Sequence, residues 1–532
     1  MHELRRQLAG GELRVAGLGD CGVAFFCAAF ARGRFMNRVI RRLAIGLLAC
    51  YVVLFVQLNV LQVGKRDALR ADVRNNRESV RTFDAPRGPI VTADGVVVAQ
   101  TVEIPVESRG DYRFQREYPT KELFANVSGY YTYAYGSTQV EHLYSDVLRG
   151  DTPKQQVLAV GETFSGEDQT GSVVLTLRSD LQELAKQSLA GREGSVVVLD
   201  VRSGAVLAMY SNPTYDPNTV AVHDADAAGA ALTALDETPG KPLLANAYQE
   251  RYMPGSTFKV LTTATALSNG VVSGVSVWPD ETAWVPPNTN NPIQNYGKKV
   301  CGGDLAEVFR RSCNIAFARM AVDVGPQRMV DGVRSWGLES EVPIDLPGAA
   351  SSTFAGDAKS FEDSLALLAI HGFGQGGVQM VPLHMAMVAA TVGNDGKMMK
   401  PYVVDKTLAH NGSVLTQTSP EVWRTPIGKP VADQLTQLMV GVVNEGTAKC
   451  CMKLARGVQA AAKTGTAQLN AAGEEQRSHA WITAFAPAKA PRVAVAVMLK
   501  GVNATISAGT GGTLAGPVAK TLLDKALLVV PR

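Results

Sequence analysis

The pattern of apolar and polar positions is dominated by one unbroken apolar run. Leu43 to Gly64 holds no charged residue and is bracketed by Arg41-Arg42 and Lys65-Arg66. A helix crossing a bilayer needs roughly 20 such residues, so the run predicts a transmembrane anchor over 43–64. A cleavable signal would have an apolar stretch of about 7–15 residues and a small-residue cleavage site. This run is longer and leads into Gln62-Val63-Gly64-Lys65. Arg32, Arg34, Arg38, Arg41 and Arg42 precede it, and Lys65, Arg66, Arg70, Arg74 and Arg77 follow it. The balance is a tie, so charge does not orient the span. Ahead of it, the apolar stretch Gly22 to Ala31 is too short to cross. Met36-Asn37-Arg38 reads as the natural start, with residues 1–35 an upstream extension of a tail over 1–42.

Beyond the anchor, residues 65–82 are charged and helix-compatible, as a stalk would be. Arg87 to Ala99 reads strand, Asp94-Gly95 turn, strand. Val173 to Leu177 reads as a strand, and Ser179-Asp180 is placed to cap a helix over Leu181 to Leu189. Two further β runs, Ser195 to Val201 and Ala205 to Tyr210, form a hairpin through Arg202-Ser203-Gly204. Near the other end come strands at Ala461 to Ala467, Ala480 to Ala486 and Val493 to Leu499, then a helix over Pro517 to Val529. Five strands split between the two ends of a region, with helices between, predict an α+β fold with a helical insertion. The glycine-rich Gly372 to Gly377 stretch lacks the lysine and helix context of a phosphate cradle and reads as a tight turn.

With 532 residues the chain has room for two or three domains. A net charge of +3 gives no basic field for nucleic acid. No zinc-type Cys/His spacing, phosphate loop or dinucleotide fingerprint is present, so no metal, cofactor or nucleic-acid partner is expected.

Three short strings carry the chemistry: Ser256-Thr257-Phe258-Lys259, Ser312-Cys313-Asn314 and Lys463-Thr464-Gly465-Thr466. Pro254-Gly255 breaks the chain, and a helix is predicted from Ser256 to about Ser268, stopping at Gly270. Ser256 then lies at the helix start, where free N–H groups favour developing negative charge. Lys259 lies one turn on, where its amine can approach the serine hydroxyl. Serine needs a base to take its proton. A lysine, ordinarily near pKa 10.4, becomes one when burial or a second cation lowers that value. Ser312 and Asn314 flank Cys313 in a loop between helical runs at Leu305 to Arg311 and Ile315 to Val322, so both can face one cleft. The Lys463 string sits in a strand, where Gly465 leaves room for close backbone approach. A peptide could add along that strand, with Lys463, Thr464 and Thr466 attracting a terminal carboxylate. His479 reads as a packing or hydrogen-bonding residue rather than a base.

In this order the strings resemble those of the penicillin-recognising acyl-serine enzymes. The resemblance implies that Ser256 is the nucleophile and Lys259 its base. Ser312 would relay a proton to the leaving amine, and Asn314 would hold the substrate amide. The Ser256 and Thr466 N–H groups would form an oxyanion hole. Arg87-Gly88-Pro89-Ile90 with the Asp-Gly turn, Arg116-Glu117-Tyr118-Pro119, Gly136 and Glu141 are similar to the pedestal motifs of class B penicillin-binding proteins, nearest the short actinobacterial type. The implied architecture is a cytoplasmic tail (1–42), an anchor (43–64), an elongated dimerisation or pedestal domain (65–190) and a transpeptidase domain (191–532). The last would have the β-lactamase/transpeptidase-like fold, a five-stranded antiparallel sheet with helices. The implied activity is D,D-transpeptidation of peptidoglycan stem peptides through an acyl-serine trapped by β-lactams, outside a single-pass membrane anchor. A SEDS-type glycosyltransferase or divisome proteins would be partners. A D,D-carboxypeptidase, a β-lactamase-type hydrolase and a non-catalytic division scaffold are the alternatives. No Glu-x-x-Leu-Asn box of the lactamase kind lies between Asn314 and Lys463.

Cys301, Cys313, Cys450 and Cys451 follow the anchor, and an external domain permits disulfides. Four cysteines allow three connectivities. Pairing adjacent cysteines would close a strained ring, so Cys301–Cys313 is expected, tethering the Ser312 loop, with Cys450 and Cys451 unassigned.

Overall fold

A computed structural model describes residues 38–59, 85–110, 112–161, 169–470, 477–502 and 504–530. Two compact units divide the chain, 1–79 and 80–532. In the first, the apolar run forms α1 (Arg38–Asn59), starting earlier than the predicted span. Its Ile40–Asn59 stretch is long and apolar enough to cross a membrane, and none of it is buried. Residues 60–64, the stalk at 65–82 and the proposed start at Met36 lie outside the described residues.

The second unit begins with β1 (Ile90–Val91), β2 (Val97–Glu103), β3 (Phe114–Glu117) and β4 (Ser172–Leu175). Next come α2 (Ser179–Leu189), β5 (Gly194–Asp200) and β6 (Val206–Asn212). The middle supplies α3 (Lys259–Ser268), α4 (Leu305–Arg311), α5 (Asn314–Val324) and α6 (Pro382–Gly393). It continues with β7 (Val404–Leu408), β8 (Val414–Gln417) and α7 (Lys429–Asn444). The chain closes with β9 (Ala461–Gln468), β10 (Ser478–Ala486), β11 (Val493–Leu499) and α8 (Gly516–Val529).

A five-stranded antiparallel sheet runs β9-β10-β11-β5-β6. These are the five strands read from the two ends of the region, each boundary within two residues. Every residue of the Val-Ala-rich β11 is buried, as a strand covered on both faces requires. α6 packs on β5, β10 and β11, while α8 packs on β10, β11 and α2. The apolar run of α6 is buried all round, the mark of a helix inside a core. β9 is left as an edge.

The second sheet runs β8-β7-β4-β1-β2-β3. β7 pairs antiparallel with β4, Thr407 opposite Val173, so strands from far along the chain complete it. One predicted detail is corrected here. Ser179 and Asp180 lie inside the first turn of α2, whose N-cap is Arg178 without a side-chain bond. The free N–H groups are taken instead by Asp94 of the Asp-Gly turn, which accepts from Ser179 N at 2.9 Å and Asp180 N at 3.4 Å. Burial pushes the Asp94 carboxyl up, but bonds from Ser179 and Thr92 outweigh it and hold it down at about 2.

The scattered pedestal motifs meet at one point. Glu141, fully buried, accepts from Arg87 Nε and Arg116 Nε at 2.6 Å each, and from Tyr118 Oη at 3.1 Å. Burial alone would raise the Glu141 carboxyl; the Arg116 and Arg87 guanidinium groups hold it below its usual value.

Candidate active site

Ser256 lies in a 3-10 turn, Gly255–Phe258, which leads into α3 at Lys259. The single helix expected from Ser256 is therefore two joined pieces. At the start of the 3-10 turn Gly255 has a φ of +53°, and a Cβ there would sit 2.7 Å from the Thr466 carbonyl. Gly465 makes the reciprocal allowance, since its Cβ would lie 2.6 Å from Pro254 O. Two glycines thus let the edge strand β9 close against the serine turn. Trp481 Nε1 on β10 donates to Met253 O at 3.0 Å and fixes the chain just ahead of that turn.

The second string spans the joint between α4 and α5. Ser312 is the left-handed C-cap of α4, with φ +63°, and Asn314 opens α5. Asn314 is therefore helical rather than in a loop. A left-handed non-glycine residue costs about 1–2 kcal/mol, and here it turns the Ser312 hydroxyl into the cleft. Neighbouring bonds hold the joint, with Cys313 N donating to Val308 O at 3.0 Å and Ile315 N to Asn295 Oδ1 at 3.1 Å. Cys301 and Cys313 form a disulfide, Cα to Cα 5.6 Å, tying the joint to the strand Cys301–Asp304. Cys450 and Cys451 correct the sequence reading, which leaves them unassigned and disfavours an adjacent pair: they are bonded to each other.

Both lysines reach the Ser312 hydroxyl. Lys463 Nζ on β9 donates to Ser312 Oγ at 2.9 Å and to Thr464 O at 3.1 Å. Lys259 Nζ lies 3.2 Å from Ser312 Oγ, 2.8 Å from Ser312 O and 2.9 Å from Asn314 Oδ1. Both side chains are fully buried, with Phe317 beside Lys259 and Phe309 beside Lys463. Burial brings Lys463 down to about 7. Burial, and then the neighbouring Lys463 charge, bring Lys259 well below its ordinary value. The bonds of the Lys259 amine run to Ser312 and Asn314, and among the described residues no hydrogen bond joins it to Ser256.

Ser256, Ser312, Asn314, Thr464 and Thr466 all line one cleft of about 230 Å³. Gly465 and Lys463 lie behind it on β9. The comparisons with known proteins fit this arrangement. Residues 194–524 match the model of the penicillin-binding protein transpeptidase domain. The chain belongs to the class B penicillin-binding proteins.

Residues 87–174 match the model of the penicillin-binding protein A dimerisation domain, the stretch that carries the Glu141 cluster. The chain is 36% identical to the peptidoglycan D,D-transpeptidase PbpA of Mycolicibacterium smegmatis, covering 92% of this chain and 99% of that one. It is 35% identical to the protein of the same name in Mycobacterium tuberculosis, with 92% and 99% covered. The structure of M. tuberculosis penicillin-binding protein A as a ceftriaxone acyl-enzyme complex superposes with a TM-score of 0.77. That match has 32% identity and covers 84% of this chain and 100% of that one.

Sequence reasoning missed other cleft residues of this family member, among them Tyr296, Phe373, Gln375, Thr447 and Thr510. Thr447 lies 2.6 Å, Oγ1 to Oγ1, from Thr464. Only the glycines around Gln375 left a signal: φ is +77° at Gly374 and +68° at Gly376, and Gly255 N donates to Gly374 O at 3.0 Å. The turn was legible, its place beside Ser256 was not. His479 is 7% exposed and accepts from Gly501 N at 3.0 Å. Burial, then the Lys500 charge, hold its imidazole down at about 4.

Proposed function

We propose that this chain is a membrane-anchored peptidoglycan D,D-transpeptidase working through an acyl-serine at Ser256. The observation that carries the reading is the Ser312 hydroxyl held by both buried lysines, in the cleft that contains Ser256. A neutral amine has two N–H donors and one lone pair. With Lys259 neutral, one of its three contacts must run the other way, and Ser312 is the partner with a proton to give. Ser312 then accepts from Lys463 and donates to Lys259, which makes a proton route across the cleft.

The steps follow from those positions. Ser256 Oγ attacks the carbonyl of the penultimate D-alanine of a stem peptide, and its proton passes to Lys259, whose lone pair turns from Ser312 to the Ser256 hydroxyl for this step. The Ser256 and Thr466 N–H groups hold the oxyanion. As the tetrahedral intermediate collapses, the carbon–nitrogen bond breaks and the leaving D-alanine amine receives a proton through Ser312. Asn314 holds the substrate amide, and Lys463, Thr464 and Thr466 hold the terminal carboxylate. An amine of a second stem peptide then attacks the acyl-serine, loses a proton and releases Ser256 with a new cross-link. β-Lactams enter by the first step and remain on the serine.

We assign 43–64 to the anchor, 65–190 to the pedestal and 191–532 to the catalytic domain, outside the membrane where the polymer lies. Cross-linking consumes newly polymerised glycan, so a SEDS-type glycosyltransferase or divisome proteins are the partners proposed for anchor and pedestal. The test is mass spectrometry of products from lipid-linked glycan supplied with a polymerase. Cross-linked dimers support transpeptidation; trimmed tetrapeptides alone would make the protein a carboxypeptidase. Ser256→Ala should abolish both cross-linking and labelling by a fluorescent penicillin, and persistent labelling would overturn the assignment.

A further inference from the structure

β9 is the free edge of the catalytic sheet, and its outward peptide groups are claimed one by one. Backbone groups of a strand alternate between its two edges with period two. The Gln375 side-chain amide meets the Gln468 peptide groups: assigned in the orientation that satisfies both, its nitrogen donates to Gln468 O at 3.3 Å and its oxygen accepts from Gln468 N at 3.2 Å. Gln468 therefore faces the free edge, and so do Thr466 and Thr464. Thr464 O is taken by Lys463 Nζ at 3.1 Å. Among the described residues no side chain takes the peptide groups of Thr466, which lie against Gly255 beside the serine. The edge is thus closed on both sides of one peptide-wide gap.

From this we propose that Gln375 is an end stop that fixes how much of a donor peptide can pair with β9. A primary amide offers one donor side and one acceptor, as a peptide bond does, so Gln375 stands where the next residue of an added strand would. It is held there by the Gly374–Gly376 turn, which is itself bonded to the serine turn through Gly255. A donor entering by β-addition pairs at Thr466, meets the Gln375 amide, and must leave the strand before Gln468. The segment ahead of the D-Ala-D-Ala end is thereby steered away from β9, and selectivity among stem peptides is set there by the rest of the cleft. This inference rests on the transpeptidase reading of the same cleft.

The test compares two donors on the full-length protein: a complete pentapeptide stem and an acyl-D-Ala-D-Ala too short to reach Gln468. The readout is the ratio of their kcat/KM values for acylation. In Gln375→Ala the long donor gains a strand position, so the ratio of long to short should rise about three- to tenfold, the worth of one backbone pairing. Gln375→Glu keeps the shape and one of the two bonds, so it should fall between the wild type and Gln375→Ala. A ratio that stays the same in Gln375→Ala, or parallel losses for both donors, would overturn the end stop and mark Gln375 as a support for the turn. Failure of wild-type protein to be acylated by either donor would instead sink the transpeptidase reading.

Discussion

Lys463 donates to Ser312 Oγ at 2.9 Å from the edge strand of the catalytic sheet, across 151 positions of sequence. This bond joins the second and third strings, and through Ser312 it places a second lysine next to Lys259. Two cations cannot share a dry site without cost, so the pair titrates as a unit.

The first prediction concerns pH. In the proposed mechanism Lys259 is a base only when neutral, so acylation should fall as pH drops and the pair takes up its second proton. Burial and the Lys463 charge both lower Lys259. Removing that charge in Lys463→Gln favours protonation of Lys259, and the acid limb should move to higher pH. Penicillin acylation rates from about pH 5 to about pH 9 would show it. An acid limb that stays in place in Lys463→Gln would contradict the coupling.

Gly465→Ala tests the closure of β9 on the serine turn. Its Cβ would come within 2.6 Å of Pro254 O, a backbone atom that cannot step aside without moving the turn. A shift of about 1 Å at a reacting centre costs roughly 100-fold. Acylation should fall by that order while thermal unfolding stays cooperative; near wild-type acylation would show that the turn tolerates the shift.

The Cys301–Cys313 bond ties together positions 12 apart beside Ser312. Cross-linking a loop of that length is worth about 3 kcal/mol through the unfolded chain. Cys301→Ser should lower the Tm and slow acylation more than it weakens the pedestal. Calorimetry beside penicillin labelling would separate the two effects.

Glu141→Gln should leave Arg87 and Arg116 buried without their anion. Breaking a buried pair by removing one partner costs about 3–5 kcal/mol. A marked fall in unfolding free energy is expected, read by denaturant titration. A change under about 1 kcal/mol would mean that the cluster relaxes or admits water.

Much of this was legible in the chain. β11 declared itself through seven consecutive apolar residues, and all five catalytic strands follow from local pattern, because burial on both faces leaves little freedom of composition. The apolar run of α1 was clear for the same reason, being a matter of length and charge alone. Ser256, Ser312 and Lys463 stood out because each lies in a short string of fixed residue types and spacing; the structure puts Ser256 and Ser312 in one cleft and bonds Lys463 to Ser312.

Contacts between distant segments were not legible. Nothing near Thr407 announces pairing with Val173, nothing near Gln375 announces Gln468, and Asp94 serves the start of a helix 85 positions away. The sequence by itself determined the long apolar helix, the catalytic strands and the chemical groups. Only the tertiary structure decided that Lys259 bonds to Ser312 and Asn314, that two glycines let β9 reach the serine turn, and that Gln375 lies against Gln468. The reason is physical: local pattern records burial and backbone preference, whereas a hydrogen bond across the sheet edge depends on where two separately specified elements come to rest.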